Sequence, residues 1–274
     1  PSELIFDEFD EQVFSNHSLG RNILGTPKHI QSFDKKMIED FMHKNYLTQE
    51  IIISSVGNIS MSKLIKVIEN HFANIPKKDL KREENTFSNY RKKEIEVERK
   101  GFQSHCILGT EAYGVNHPKK TALILLNNIL GGPGMNSRLN LAIREKYGFT
   151  YSIESNYTSY SDTGIFSIYL ASDNDKMNKS IKLAKRELIK FCEKPLGTLQ
   201  LKKAKQQLIG QIAIGQESEV NLMLAMGKSM LLYNKVDTFE LVKNKIENVT
   251  SEELVNVANE VFNLDNLSSL IYKV

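Results

Sequence analysis

What this sequence has little of narrows its class before any motif is read. Only two cysteines, Cys106 and Cys192, occur in 274 residues, far apart and in no C-x-x-C pair, so the chain is not a disulfide-stapled miniature. One disulfide or two buried thiols satisfy that count. The thiols are the preferred reading, and the redox compartment stays open. No apolar run reaches the roughly 18 residues that a membrane helix requires. The N-terminal PSELIFDEFDEQVF is acidic and does not read as a signal peptide; in a fragment this says nothing of where the parent protein goes, and the localisation is left unassigned. A charge excess of one sign is also lacking. The net charge is +3, the isoelectric point about 8.7, and Lys and Arg alternate with Asp and Glu. That pattern describes solvated helix faces rather than a polyanion-binding surface, and no nucleic-acid partner is expected. The glycine-rich stretch LGGPGMNS lacks the G-x-x-x-x-G-K-[ST] pattern and does not open a dinucleotide unit, so by physics alone it is a tight helix–helix corner.

What is present is ordinary globular material. The chain is 41% hydrophobic and 25% charged, and it is long enough to bury a core without staples, as one large domain or two. Its most informative feature is an internal echo. IQSFDKKMIEDFMHKNYLTQEIIISSVG begins at Ile30, and IENVTSEELVNVANEVFNLDNLSSLIYKV begins at Ile246. Each has a polar cap candidate four residues on (Asp34, Thr250), then an amphipathic helix, then an aromatic (Tyr46, Phe262). Each closes on a short apolar strand, Ile51–Val56 and Leu267–Tyr272. If both copies end equivalent units, residues 1–76 are the tail of a first domain, 77–92 a charged linker, and 93–274 a complete second domain.

Periodicity predicts the remaining elements. Ser60 or Ser62 caps a helix that stops before Pro76. Glu94–Glu98 and Ser104–Tyr113 read as strands, His117–Leu130 and Asn136–Tyr147 as helices, and Gly148 as a left-handed stop. Phe149–Tyr157 and Gly164–Ala171 form a strand pair. Helices follow over about 173–194, 197–214, 218–233 and 238–247. The Met223, Met226 and Met230 stripe reads as core. The fold class is therefore α+β, with helices on one face of a mainly antiparallel sheet.

The string LGG-x-G-M-x-SRL…REK-x-G-x-x-Y, over Leu130–Tyr151, resembles the second-domain signature of the pitrilysin, insulinase and mitochondrial-processing-peptidase family of zinc peptidases. NHSLGRNILGT, over Asn16–Thr26, resembles a signature of the same family's first domain. The helix, strand, linker and Gln103-Ser104-His105 strand between and after them follow in the family's order. The resemblance covers nearly the whole chain. It implies two duplicated α+β domains that close around a peptide, the first of them truncated here. It also implies a zinc-dependent endopeptidase of the inverzincin class, whose H-x-x-E-H site lies upstream of NHSLGR. None of the six histidines begins H-x-x-E-H, so no zinc ligand is assigned: zinc belongs to the parent, and this chain alone should be inactive. The partners implied are a peptide or protein substrate, a missing N-terminal domain or zinc-bearing subunit, and a second subunit in a homo- or heterodimer. A non-catalytic scaffold or partner subunit is the alternative role.

In the family, an arginine and a tyrosine seven residues apart contact the substrate backbone near the scissile carbonyl, and the matching positions are Arg144 and Tyr151. Arg144 supplies a planar fork of donors and Tyr151 a hydroxyl for a developing oxyanion; the plainer reading makes Arg144 a helix C-terminal cation and Tyr151 a core residue. Gly131, Gly132 and Gly134 shape the corner that presents Arg144. With Ser137 and His105 they complete the substrate-binding candidates. Capping is the plainer role of Ser137, surface charge that of Arg138, and a satisfied core or interface position that of His105. Arg21 reads as structural.

Overall fold

The first element is one that the sequence reading did not anticipate. Leu4–Val13 is a helix (α1) whose Ile5, Phe9, Gln12 and Val13 form a buried stripe at helical spacing. The computed structural model describes residues 2–73, 75 and 85–274. Along it follow α2 (Pro27–Ser32), α3 (Lys35–Asn45), α4 (Met61–Phe72), β1 (Glu94–Glu98), β2 (Ser104–Ala112) and α5 (Lys120–Gly131). A π-wound segment, Asn140–Glu145, precedes β3 (Ser152–Ser159), β4 (Gly164–Ser172), α6 (Asn174–Glu193) and α7 (Thr198–Gln216). The chain ends with α8 (Glu219–Tyr233), α9 (Phe239–Glu247), α10 (Ser251–Val261) and β5 (Ser268–Lys273).

Two compact units interleave in sequence. One comprises Pro1–Leu24, Asn85–Leu208 and Asn244–Val274, the other Gly25–Glu84 and Ile209–Lys243. The larger unit holds one five-stranded sheet in the order β1-β5-β2-β4-β3. β1 runs parallel to β5 and every other pairing is antiparallel. Because side chains alternate across a sheet, each strand gives one set to each face. Phe166, Ile168, Leu170, Cys106 and Leu108 point to the face covered by α5, α6 and α10, where Phe166 meets Phe262 with ring centroids 4.7 Å apart. Ile107, Ile165, Tyr169, Leu270 and Tyr272 point to the other face, where they pack against Ile5, Phe9, Val13 and Phe14 of α1 and its end. Burial from both sides explains why β4 is buried along its whole length. Both cysteines are free thiols, Cys106 buried and Cys192 partly so.

The expected linker falls partly outside the described residues, which resume at 85. From there it is pinned rather than loose. Phe87 meets Phe14 edge-on at 5.0 Å, and Tyr90 Oη donates to the Asn266 carbonyl at 2.6 Å.

In the smaller unit the anticipated caps form: Asp34 accepts from the Met37 N–H at 2.7 Å, as Thr250 in the larger unit accepts from the Glu253 N–H at 3.0 Å. Three expectations are corrected there. Ile51–Val56 pairs with no strand among the described residues, because a strand exists only where another edge meets its N–H and C=O groups. Ser60 stands at the start of α4 without accepting a capping bond. The Met-bearing α8 has no buried residue, and Met230 is 37% exposed, so its stripe is not core.

Candidate functional site

α5 ends in the glycine corner. A Cβ on Gly131 would stand 2.5 Å from the backbone nitrogen of Ser155, so only glycine lets α5 close onto β3. The contact is fastened by Ser155 Oγ donating to the Asn127 carbonyl at 3.0 Å. Gly132 and Gly134 continue the corner against Asn128 and against Asn136 and Gln207. Asn136 Nδ2 donates to Gln207 Oε1 at 2.8 Å, which ties the corner to α7. Ser137 is buried, and its carbonyl accepts the Leu141 N–H at 3.0 Å, so it opens the next helix.

That helix is wound as a π-turn over Asn140–Glu145, a winding that no periodicity in the sequence disclosed and one frequent at functional sites. Asn140 Nδ2 donates to the Met135 carbonyl at 2.7 Å, and Leu139 and Ile143 are fully buried, which leaves Arg144 exposed in the last turn. Gly148, at φ +63°, ends the helix in the left-handed conformation and donates to the Arg144 carbonyl at 2.8 Å. Tyr147 and Phe149 stack across it at 5.1 Å. The chain then enters the sheet: the Tyr151 N–H donates to the Ala171 carbonyl at 3.1 Å, while its side chain is 61% exposed. Among the described residues neither the Arg144 guanidinium nor the Tyr151 hydroxyl has a hydrogen-bond or ion-pair partner. Tyr151 is thus no core residue, and Arg144 is not spent in a structural ion pair.

Gly131, Gly132, Gly134 and Ser137 share one corner, and Arg144 and Tyr151 bracket the turn at the far end of the helix leaving it. His105 lies elsewhere. By strand alternation it projects from the α1 face of the sheet, opposite the face on which Ser155 meets Gly131. Its Nδ1 lies 2.8 Å from Tyr169 Oη, with the rings stacked at 6.0 Å. Burial lowers the His105 pKa and raises that of Tyr169, which also feels Glu154 on the neighbouring strand. Arg138 is stacked over Phe191 with Cζ 4.0 Å from the ring centroid, and burial lowers its pKa against the opposing pull of Glu187. It also lines a cavity of about 200 Å³ with Ser137, Asn136, Gln200, Lys203 and Gln207. Sequence reading missed Asn136, Asn140 and Gln207, whose roles depend on partners several residues or a whole helix away. It also missed Thr150 and Asn127, whose buried side-chain oxygens find no protein partner among the described residues.

A helix-backed sheet whose glycine corner leads into a π-wound helix and an exposed Arg/Tyr turn defines a specific kind of α+β domain. The profile described as "Peptidase M16 inactive domain" matches residues 32–208, and the chain belongs to that family. It is similar to an uncharacterized zinc protease of Bacillus subtilis, YmxG, with 32% identity over 99% of this chain and 66% of that protein. It is also similar to an uncharacterized zinc protease of Rickettsia felis, with 29% identity over 99% and 65%. The chain therefore spans slightly less than two thirds of these relatives. A crystal structure described as the peptidase M16 inactive domain from Pseudomonas fluorescens has the same fold, with a TM-score of 0.89 and 23% identity over 100% of this chain and 66% of that one.

Proposed function

We propose that the chain is the portion of a zinc-dependent endopeptidase that holds the substrate backbone, with Arg144 and Tyr151 as the groups that meet the peptide. The observation that carries this reading is that a fixed cation and a phenol, both exposed and unpartnered among the described residues, flank one rigid turn. The turn is held by a left-handed Gly148 and a stacked aromatic pair. Arg144 can donate two N–H groups to a substrate carbonyl, and its place in the last helical turn favours the cation. Tyr151 can donate its hydroxyl to an oxygen that gains negative charge during peptide hydrolysis. The glycine corner and Ser137 hold the helix that presents Arg144, and His105 is an outlying contact on the sheet face.

Among the described residues no group of three or more His, Cys, Asp or Glu side chains is placed to hold a metal ion. The described residues thus offer no donor set that fits zinc, and in this reading the metal and its chemistry belong to the rest of the parent protein. The family description "inactive domain" and the relatives' printed names support the same division. In the complete protein, Arg144→Ala should lower turnover at least about tenfold, equivalent to roughly 1.4 kcal/mol, with melting unchanged. Unaltered turnover would remove the assignment.

A partner subunit without its own metal is the second reading, favoured by the same description. The two part on whether the parent polypeptide carries H-x-x-E-H. Zinc titrated into the isolated chain should bind no tighter than to scattered surface histidines, and a tight stoichiometric site would contradict both.

A further inference from the structure

Basic and acidic side chains balance along the whole chain, 36 against 33, but not at one place among its helices. Three adjoining hollows, of about 200, 570 and 310 Å³, open between the π-wound helix, α6 and the start of α7. Arg138 lines all three, and Arg186 and Lys190 line two of them. With Lys146, Lys194 and Lys203 they make six basic side chains, and only two carboxylates, Glu187 and Glu193, share the walls. Glu187 is already matched, since it is buried with Lys190 Nζ 2.5 Å from its Oε1. Lys190 and Lys194 stand at the end of α6, where a helix favours cations in any case. Arg138 has no such account. It opens the helix that carries the π-turn, the end at which a cation is disfavoured. It is half-buried, with Cζ 4.0 Å from the Phe191 ring centroid, a contact that uses none of its N–H groups. Among the described residues those N–H groups have no hydrogen-bond or ion-pair partner, and neither do Arg186, Lys194 and Lys203. A guanidinium partly withdrawn from water with its donors unspent is costly unless an anion meets it.

We infer that Arg138 anchors a binding site for a free oligophosphate, a compact anion with several negative charges. The planar fork of Arg138 meets two phosphate oxygens at once. Arg186, Lys190 and Lys194 extend the positive lining along the largest hollow, and Lys203 supplies a cation in the smallest. Gln200, in the first turn of α7, lines both of these, so the positive end of that helix borders them. Its Oε1 accepts the Gly197 N–H at 3.2 Å, which leaves its amide N–H groups to donate to an anion. The cations are gathered into pits between helices and not laid along a face. That shape suits a small anion better than a membrane or an extended nucleic acid. Neither Arg144 nor Tyr151 lines the hollows, and the inference is independent of the peptidase reading.

The test is calorimetric titration of sodium tripolyphosphate into the full 274-residue chain. One equivalent should bind saturably, and more weakly as salt is added. Arg138→Gln, which removes charge and fork together, should weaken binding at least about tenfold. Arg138→Lys, which keeps the charge alone, should recover only part of that loss. Arg138 also packs on Phe191, so a second variant guards against a disturbed fold. Arg186→Gln combined with Lys194→Gln changes two exposed side chains and should weaken binding about fivefold with melting unchanged. Lys35→Gln, in the other unit and 89% exposed, should alter nothing. The inference is overturned by the lack of saturable binding, by uptake of several equivalent ions, or by unchanged affinity in the double variant. Tighter binding of a phosphoserine peptide overturns it as well, because the cations would then serve a modified protein. So does cosedimentation with phosphatidate vesicles that tripolyphosphate fails to compete away, which would make a lipid headgroup the ligand.

Discussion

Residues 30–56 and 246–272 carry one pattern with two outcomes. In both, a polar residue caps the helix in the same way, Asp34 on Met37 and Thr250 on Glu253. In the later copy the helix buries its apolar stripe and the strand sits inside a sheet. In the earlier copy the stripe faces solvent, and Ile51–Val56 pairs with no strand among the described residues. Caps and helical hydrogen bonds close within a few residues, so local sequence suffices for them. A strand is completed only by another edge, and an apolar face only by another surface.

The largest effect expected from this contrast is in the cores. Leu254→Ala should cost about 3 kcal/mol, since a buried leucine leaves a cavity. Its counterpart Ile38→Ala should cost less than about 1 kcal/mol in this chain, because that side chain already meets water. Urea denaturation of the two variants measures the difference, and equal losses would break the comparison.

A smaller effect concerns α1, which covers the sheet containing β5. Burial there, aided by the neighbouring Asp7 carboxylate, pushes the Asp10 pKa up from 3.8 to about 6. Between those values the folded chain holds a proton that the unfolded chain has released. The associated stability is full below pH 4 and is lost as pH rises through about 6. Asp10→Asn should therefore stabilise the protein by about 1–2 kcal/mol at pH 7, a figure reduced for partial solvent screening, and by progressively less toward pH 4. Melting temperatures across that range would show it, and a gain independent of pH would refute the cause.

The smallest expected difference is at the caps. Thr250→Ala and Asp34→Ala should each weaken their helix by about 1 kcal/mol. Only Thr250→Ala should shift the midpoint of the larger unit, because only its helix is built into that core. Hydrogen exchange resolved by helix would separate the two.

The same distinction between local and distant partners governs how much could be read from the sequence. EIEVE alternates, and β1 forms over those five residues. The long helices α6 to α9 follow their apolar spacing, and Gly148 stops its helix as a residue tolerant of positive φ. α1 escaped because its four inward positions are spread through an acidic stretch that was read only for targeting. The pairing of Asn136 with Gln207 and the stack of His105 on Tyr169 join residues about 70 and 64 positions apart, and nothing local announces such partners. Arg144 and Tyr151 were legible only as a resemblance. Their exposure and lack of partners among the described residues are structural facts that no spacing contains.

The π-turn has a consequence for how such a protein can change. A wide turn holds one residue more than α-helical winding needs, so the bearing of Arg144 is a matter of count and not only of contact. Losing a single residue from that turn would tighten it and swing the guanidinium by about 100° around the helix axis, one step of a 3.6-residue winding. The arginine's aim can thus drift by insertion and deletion while every side chain beneath it is conserved.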